Sequence, residues 1–453
     1  MRMYGNAVTI AAVFGLATAC SFAGDWPQWR GPNRDGKVSG FTPPQTWPKE
    51  LKQQWKATVG EGDSTPAAVG DKIFVFSKQG DDEVITCLNA ADGKPLWQDK
   101  YSQNVVDWTG DRGHMGPRSS PAVASGKVVT LGAGGMLSCL DANSGKVLWR
   151  KDSRKDFSLS YPTFHVACSP LVVDDMCIVQ LGGQGKGGVF AFDMSSGDIK
   201  WKWDAEAPSY ASAVLMTVDA TKMIVAVTES SVVGLDAASG KLLWQTAVGS
   251  PAGRAGGPGG ASRGPGGDRA PGDARGAGGP GGRGPGGRGR GMGGGMAAMN
   301  TATPIVDGQT VIIAINGHKA LKIEKNGGSF AASQLWSNPD VSDVFHTPIV
   351  HNGLIFGISN RGNLYCLDEK SGTLKWTGKE SLGRGFGSIV DAGSVLIALA
   401  PAGELRVINP SDKEYSEVAK IKVADTETYA HPVLANNRLL IKDKESVISY
   451  DLQ

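Results

Sequence analysis

The chain has 453 residues, including 64 glycines and 12 tryptophans, and a formal net charge of +2 at pH 7. Its hydrophobic content of 40% and charged content of 20% are typical of a globular core and exclude a strongly basic chain. No apolar stretch reaches the ~18 residues that a membrane-spanning helix requires. Glycine is roughly twice as frequent as the usual value of about 7%, and its distribution has to be explained.

The first 23 residues have the features of a secretory signal peptide. Arg2 supplies the positive end, residues 7–19 are apolar, and a small-x-small cleavage pattern ends at Ala23. The alternative is a lipoprotein signal in which Cys20 is acylated. Both interpretations predict an exported protein of the periplasm or cell envelope, without a transmembrane helix.

A nine-residue pattern recurs along the rest of the chain: an acid or amide, a glycine four residues later, and a tryptophan four residues after that. The complete copies are Asn89-Gly93-Trp97, Asp141-Gly145-Trp149, Asp193-Gly197-Trp201, Asp236-Gly240-Trp244 and Asp368-Gly372-Trp376. Glu324, Gly328 and Trp336 form a stretched copy, and Asn409 and Asp451 are partial ones. The spacing of these anchors, mostly 41 to 52 residues, is typical of propellers and solenoids.

Short runs of Val, Ile and Leu separated by Gly, Asp and Asn precede each anchor, which indicates strands joined by tight turns. Each unit is therefore expected to have four strands, A to D, with the anchor turn between C and D. The fold prediction is an all-β, eight-bladed β-propeller of four-stranded antiparallel blades. The last unit lacks strand D after Asp451, and the segment around Trp55 resembles it. We expect pairing of the N-terminal and C-terminal strands to close the ring.

These boundaries give five segments. They are a signal peptide at 1–23, an N-terminal extension at 24–52, the closing strand with blades 1–4 at 53–249, an insert at 250–299, and blades 5–8 at 300–453. The insert holds about a third of the glycine: residues 251–300 contain 22 glycines, seven arginines and two acids. Such a composition predicts disorder. Outside the insert and the signal peptide, the 38 bases and 42 acids leave a mildly acidic body.

The basic insert has two interpretations. It resembles arginine-glycine segments that bind polyanions, and because the chain is exported we expect an anionic envelope surface as target and no nucleic acid. The alternative is a spacer, since lengthening a loop costs little entropy.

Five cysteines lie outside the signal peptide: Cys87, Cys139, Cys168, Cys177 and Cys366. Three of them occupy the same position of the repeat, which favours small buried side chains inside the blades. The sequence leaves their disulfide state open, and their spacing matches no zinc site.

The repeated Asp-x-x-x-Gly-Lys-x-x-Trp pattern resembles the pyrroloquinoline-quinone-like β-propeller repeat family. That family includes quinoprotein alcohol dehydrogenases and exported propellers of the BamB type. Residues 25–36 (DWPQWRGPNRDG) look like the opening of exported bacterial members. The resemblance supports the fold, but a fold hosts many functions.

The resemblance to the dehydrogenases implies a quinone held with a vicinal cysteine disulfide, a calcium ion and a catalytic aspartate. This chain has no Cys-Cys pair, and no Glu/Asn/Asp calcium set can be placed on it. We therefore expect no cofactor, no metal site and no catalytic residue. The expected function is a non-enzymatic envelope scaffold that binds a protein or a ligand. The alternative is a quinoprotein-like oxidoreductase, or another enzyme with its site in the central funnel.

Candidate binding residues lie in the links that lead from strand D of one blade to strand A of the next. These links meet around the central channel, and aromatic and basic residues there could bind an anionic or carbohydrate-like ligand. The candidates are Arg112, His114, Arg118, Tyr161, His165, Tyr210, His346, Arg384, Phe386, Tyr429 and His431. The alternative is that they only hydrogen-bond neighbouring blades. His318 and His351 are expected to be surface residues of hairpin turns.

Overall fold

The structure, a computed structural model, describes residues 24–102, 105, 114–183, 185–248, 301–383 and 385–452. The predicted signal peptide and the predicted insert lie outside these residues. The described chain forms 32 strands and one helix, α1 (Ser153–Phe157). No helix within this part of the chain is long and apolar enough to span a membrane.

The strands form eight antiparallel sheets of four strands, as predicted. Blade 1 contains β2 (Ala67–Val69), β3 (Lys72–Gln79), β4 (Asp82–Asn89) and β5 (Pro95–Ser102). Blade 2 contains β6 (Ala122–Ala124), β7 (Lys127–Leu131), β8 (Met136–Asp141) and β9 (Val147–Asp152). Blade 3 contains β10 (Leu171–Val173), β11 (Met176–Gly183), β12 (Lys186–Asp193) and β13 (Ile199–Trp203). Blade 4 contains β14 (Val214–Val218), β15 (Thr221–Val227), β16 (Ser231–Asp236) and β17 (Leu242–Ala247).

The remaining blades follow the same order. Blade 5 contains β18 (Ile305–Asp307), β19 (Thr310–Ala314), β20 (His318–Asn326) and β21 (Ser329–Asn338). Blade 6 contains β22 (Ile349–His351), β23 (Leu354–Ile358), β24 (Asn363–Asp368) and β25 (Leu374–Ser381). Blade 7 contains β26 (Ser388–Asp391), β27 (Leu396–Ala400), β28 (Glu404–Asn409) and β29 (Ser416–Lys422). Blade 8 contains β30 (Val433–Ala435), β31 (Arg438–Lys442), β32 (Ser446–Asp451) and, as its outer strand, β1 (Lys52–Thr58).

The ring closes between the two ends of the folded chain. β1 pairs antiparallel with β32, in a register that runs from Lys52 opposite Asp451 to Thr58 opposite Ser446. The first strand of the propeller thus completes the last blade, which confirms the predicted closure. Joining the ends in this way removes an exposed sheet edge.

Burial follows the position of each strand in its blade. Strand B of blade 7, β27, is buried at every residue, whereas the outer strand β17 of blade 4 buries only Trp244 and leaves its other residues exposed or half-buried. The inner strands have neighbouring blades on both faces, so they need continuous apolar runs. The apolar clusters accordingly join neighbouring blades; one joins Val129, Cys139 and Trp149 of blade 2 to Cys177 and Phe192 of blade 3.

The repeated turn has the roles that the sequence predicts. In blade 2, Asp141 Oδ1 accepts hydrogen bonds from the main-chain N–H groups of Asn143 and Ser144, and Gly145 has a φ of 72°. The indole N–H of Trp97, from blade 1, donates to Ala142 O at 3.2 Å. The tryptophan of one blade therefore packs on the turn of the next.

The junction of blades 4 and 5 departs from this rule. Blade 5 replaces the short turn by a long hairpin of β20 and β21, and the Trp244 indole N–H points instead at Met223 Sδ of its own blade, at 3.2 Å. The insert falls at this same junction in the sequence.

All five described cysteines are free and buried. This agrees with the interpretation that they are small core residues. Burial raises the pKa of the Cys139 thiol to about 11 and that of Cys168 likewise to about 11. Both thiols are therefore protonated at neutral pH, when a free thiol is least reactive.

The two faces of the ring differ in what they carry. The link face carries the D-to-A links and the turns between strands B and C. The turn face carries the turns between strands A and B and the anchor turns between strands C and D. The nine candidate binding residues that the structure describes belong to links, and hence to the link face.

Candidate functional site

Of the eleven candidates, nine lie within the described residues, whereas Arg112 and Arg384 lie outside them. Eight of the nine form an outer aromatic group, a second group over blades 2 to 4 that includes the buried His165, and a pair of further buried histidines, His346 and His431. The ninth, Arg118, connects the first two groups.

The outer group joins links that lie on both sides of the channel. The Phe386 ring stacks on His114 with centroids 5.4 Å apart, and the centroid distance from His114 to Tyr429 is 4.4 Å. Phe345, which the candidate set omitted, stacks on Phe386 at 4.6 Å. Asp63 Oδ2 lies 2.9 Å from His114 Nδ1 and fixes the imidazole from the blade 8 to blade 1 link.

The second group lies in the links around blades 2 to 4. The rings of Tyr161 and His165 are 5.3 Å apart, and those of Phe164 and Tyr210 are 6.4 Å apart. Arg118 connects the two groups, because its guanidinium donates to Phe164 O at 2.7 Å and to His114 O at 3.1 Å. Its charge thus meets main-chain carbonyls, which supports the interpretation that several candidates bridge neighbouring links.

His346 and His431 lie beneath this surface and are buried. His346 Nδ1 donates to Gly387 O at 3.2 Å, and burial lowers the pKa of His346 to about 4. Burial, together with the nearby Arg30 guanidinium, holds the pKa of His431 well below its usual range. Both imidazoles are therefore neutral at pH 7 and add no positive charge to the channel.

The sequence reasoning missed the segment that fills the channel. Residues 24–40 form a strap that enters from the turn face, and Arg30 and Arg34 of this strap are both fully buried or nearly so, at 0% and 3% exposure. Arg30 donates to Thr347 O and Pro348 O, each at 2.7 Å. These carbonyls lie at the link-face end of blade 6.

Arg34 binds main-chain carbonyls of two other blades. Its guanidinium donates to Ala213 O at 2.7 Å in front of blade 4, and to Ser169 O and Pro170 O in front of blade 3. Burial lowers the pKa of Arg34 to about 9 and that of Arg30 to about 10. Both guanidinium groups stay charged at neutral pH and are solvated by carbonyl oxygens in place of water.

Main-chain hydrogen bonds attach the strap to three further blades. Trp26 exchanges two hydrogen bonds with Ala68 of blade 1, and Val123 of blade 2 donates to Pro27 O. On blade 7, Val38 N donates to Asp391 O at 2.8 Å. The strap therefore contacts blades 1, 2, 3, 4, 6 and 7, and it fills the channel with the protein's own side chains.

A signal for the strap was present in the sequence. The two arginines stand four residues apart between turn-forming residues, and Gly36 has a φ of 75°. A Cβ at position 36 would lie 2.9 Å from the Ile349 side chain. The pattern predicts a compact turn. It does not predict that the two arginine side chains enter the channel, because that depends on contacts with distant residues.

A ring of hydroxyl groups surrounds the strap at the residues that precede strand A. In each case the main-chain N–H of one blade donates to the hydroxyl of the next blade, at 2.9 to 3.1 Å. The series runs from His431 through Thr65, Ser120, Ser169, Ser212 and Thr303 to Thr347. It links seven of the eight blades directly, from blade 8 round to blade 6.

The expectation for His318 and His351 was wrong. His318 is fully buried; its Nδ1 contacts Val341 O at 3.0 Å, and its Nε2 lies 2.9 Å from Asp343 Oδ2. The hydroxyl of Tyr365 donates to that same carboxylate oxygen at 2.8 Å. His351 Nδ1 lies 2.9 Å from Asp391 Oδ2, and its side chain is only 11% exposed. Both histidines pair with carboxylates of neighbouring segments, which a hairpin position in the sequence did not indicate.

The residues present do not fit the quinone site that the dehydrogenase resemblance implies. The centre of the channel is taken up by Arg30 and Arg34, and the five cysteines are buried separately. The described residues include no group of three or more His, Cys, Asp or Glu that could hold a metal ion. Beside Tyr429, a cavity of about 20 Å³ has room for roughly one water.

Comparison with known proteins identifies the family of this chain. A family model described as outer membrane protein assembly factor BamB matches residues 81–257 and 290–378, more than half of the chain. The BamB of Yersinia pestis is 22% identical over 87% of this chain and 87% of its own length. The BamB of Burkholderia pseudomallei is 25% identical over 56% of this chain, and that match spans only 58% of the relative.

Solved structures support the fold. The crystal structure of BamB from Moraxella catarrhalis has a TM-score of 0.59 at 16% identity, covering 88% of this chain and 99% of that one. The quinohemoprotein alcohol dehydrogenase of Comamonas testosteroni has a TM-score of 0.65 at 13% identity, covering 96% of this chain and 81% of the enzyme. At such identities the likeness concerns the fold alone. From the family match, this chain belongs to the family of the outer membrane protein assembly factor BamB.

Proposed function

We propose that this protein is a non-enzymatic scaffold of the bacterial cell envelope that takes part in outer-membrane protein assembly by binding another protein. The observation that carries the proposal is the filled channel: in a member of a family named for assembly factors, Arg30 and Arg34 occupy the centre of the ring. A ligand in the channel would have to displace two guanidinium groups from their carbonyl partners. The outer faces of the ring remain for partners.

Export is part of this proposal. The N-terminal 23 residues support secretion to the periplasm, with acylation of Cys20 as the alternative end of the signal. Fractionation of cells that produce the full chain would place it with the periplasmic or the membrane material. Replacing Cys20 with serine would release it from membranes if the lipid anchor exists.

Deletion of the gene in its native bacterium tests the function directly. We expect less folded outer-membrane barrel protein, which can be measured by the heat-modifiable mobility of such barrels in gels. The intact gene should restore the level. Unchanged barrel levels would contradict the proposal. A thermal-shift titration with pyrroloquinoline quinone serves as the companion measurement, and stabilisation by the quinone would favour the oxidoreductase alternative.

The composition of the insert suggests a second contact, with an anionic surface of the envelope. Its seven arginines against two acids would attract an anionic surface at low salt. Removing residues 251–298 and comparing retention on anionic vesicles at low salt decides between attraction and a spacer. Equal retention of the two proteins would leave only the spacer.

A further inference from the structure

The outer aromatic group forms a continuous apolar patch on the link face. Each ring of the group contacts the next in the order Phe345, Phe386, Tyr429 and His114. The shortest distances between ring centroids are 4.4 and 4.6 Å. Phe345 is 36% exposed, and the other three rings are partly exposed. Aromatic side chains that cluster at a surface contribute much of the binding energy in protein interfaces.

Carboxylates stand along one side of this patch. The cavity beside Tyr429 is lined by Glu61, Asp63 and Glu427, with Met115 as an apolar wall. Burial raises the pKa of Tyr429, and the carboxylates of Glu427 and Asp63 raise it further. Those two negative charges therefore lie close to the Tyr429 phenol.

Lysines pair with Glu61 and Asp443 of the cavity wall, and the described lysines leave Glu427 and Asp63 without such a pair. Lys442 is buried, and its Nζ donates to three main-chain carbonyls, those of Gly60, Asp443 and Lys444. Lys444 is half exposed, with its Nζ 4.0 Å from Glu61. The lining contains four carboxylates, Glu61, Asp63, Glu427 and Asp443, against the two ammonium groups of Lys442 and Lys444. Outside the lining, Lys56 pairs with Asp443 at 3.3 Å and Lys78 approaches Glu61 at 4.0 Å. Among the described residues, Glu427 and Asp63 are therefore the lining carboxylates that have no lysine ammonium group within 4 Å.

We propose that this patch docks a basic segment of a partner protein, with a lysine or arginine side chain placed against Tyr429 and its charge toward Glu427 and Asp63. The inference rests on the proposed scaffold function and names its binding surface. The rings offer their faces to the aliphatic stem and the cationic head of such a side chain. The adjoining carboxylates then select a basic occupant over an acidic one.

Binding of matched peptides tests the proposal on the full chain. Two fluorescent ten-residue peptides, one alternating lysine with leucine and one alternating glutamate with leucine, are titrated with the protein and followed by anisotropy. We expect binding of the lysine peptide, weakening with salt, and little binding of the glutamate peptide. Equal binding of both, or tighter binding of the glutamate peptide, would overturn the proposal.

Three variants locate the contact. Phe386→Ala and Glu427→Gln should each weaken the lysine peptide by about tenfold, the effect of losing one interface anchor. The control Glu414→Gln removes an exposed carboxylate on the turn face and should leave binding unchanged. Circular dichroism verifies that Phe386→Ala is folded, and Glu427→Gln changes an exposed residue. Wild-type affinity in both patch variants would overturn the assignment.

A fourth protein separates an external partner from the chain's own basic insert. If deletion of residues 251–298 strengthens lysine-peptide binding severalfold, the insert occupies the patch, and the external-partner proposal is overturned. Unchanged binding supports it. Assembly of outer-membrane barrels in the strain that lacks the whole gene distinguishes the two proposals. If this strain has an assembly defect, and if Phe386→Ala and Glu427→Gln both restore assembly fully, the docking surface is overturned and the scaffold function stands.

Discussion

The indole ring of Trp97 in blade 1 lies directly against Gly145 of blade 2: a Cβ at position 145 would come within 2.5 Å of the ring. Gly93, Gly197, Gly240 and Gly372 stand in the same relation to the tryptophan of the preceding blade. The glycine of the repeat thus serves two purposes, a positive φ in the turn and a bare surface for the indole.

Gly145→Ala should destabilise the protein more than Gly126→Ala. Both glycines have a φ of 72°, but a Cβ at position 126 meets nothing within 4 Å. The φ penalty of roughly 1 kcal/mol applies to both variants, and overpacking against Trp97 adds about 1–3 kcal/mol at position 145 alone. Urea unfolding of the two variants measures the difference. Equal midpoints would show that the indole contact contributes nothing.

Arg34→Ala should lower the free energy of unfolding by about 3 kcal/mol or more, because it leaves buried carbonyls without donors. Asn33→Ala is the control, since Asn33 is exposed in the same strap. If the strap docks as one unit, Arg30→Ala combined with Arg34→Ala should cost less than the sum of the single changes. A stability loss no larger than that of Asn33→Ala would contradict the role of the strap.

Thr303→Val should cost about 1–3 kcal/mol, because the buried main-chain N–H of Ser212 loses its acceptor hydroxyl at 3.0 Å. The change keeps the shape of the side chain, so packing is nearly unaltered. Thr163→Val, at an exposed link position, is the matched control. Thermal unfolding of both variants compares them, and equal melting temperatures would argue against the hydroxyl ring as a stabilising element.

Glu369→Gln should change how stability depends on pH. Burial and a hydrogen bond shared with Asp307 raise the pKa of Glu369 to about 7. The folded protein therefore binds more protons than the unfolded chain between about pH 4.5 and 7, and this contribution to stability is lost as pH rises through 7. The variant removes that loss. Between pH 5 and pH 8, the urea midpoint of the wild type should fall more than that of Glu369→Gln. Equal changes of the two midpoints would contradict the raised pKa of Glu369.

The repeat made the fold predictable from sequence. Tryptophan and glycine at a fixed spacing report a contact that every blade repeats, so the number of blades and the closing role of Trp55 followed from counting. The pairing of the N-terminal strand with the C-terminal strand then required only that the ring have no open edge.

The channel was less predictable, because its contacts are not repeated. Arg30 meets the carbonyls of Thr347 and Pro348, more than 300 residues away in the chain. The burial of His318 depends in the same way on Asp343 and Tyr365, which come from other segments. A single sequence carries no periodic signal for such contacts, whereas the link positions of His114 and Phe386 followed from the repeat and did converge.

Amide hydrogen exchange of the strap tests most directly whether the protein fills its own channel. The main-chain N–H groups of Trp26, Gly36 and Val38 donate to Ala68, Arg30 and Asp391. We expect these amides to exchange as slowly as those of the inner strands, and Arg34→Ala to speed their exchange before it affects the blades. Fast exchange of residues 25–38 in the intact protein would contradict this expectation, because the channel would then be open to a ligand.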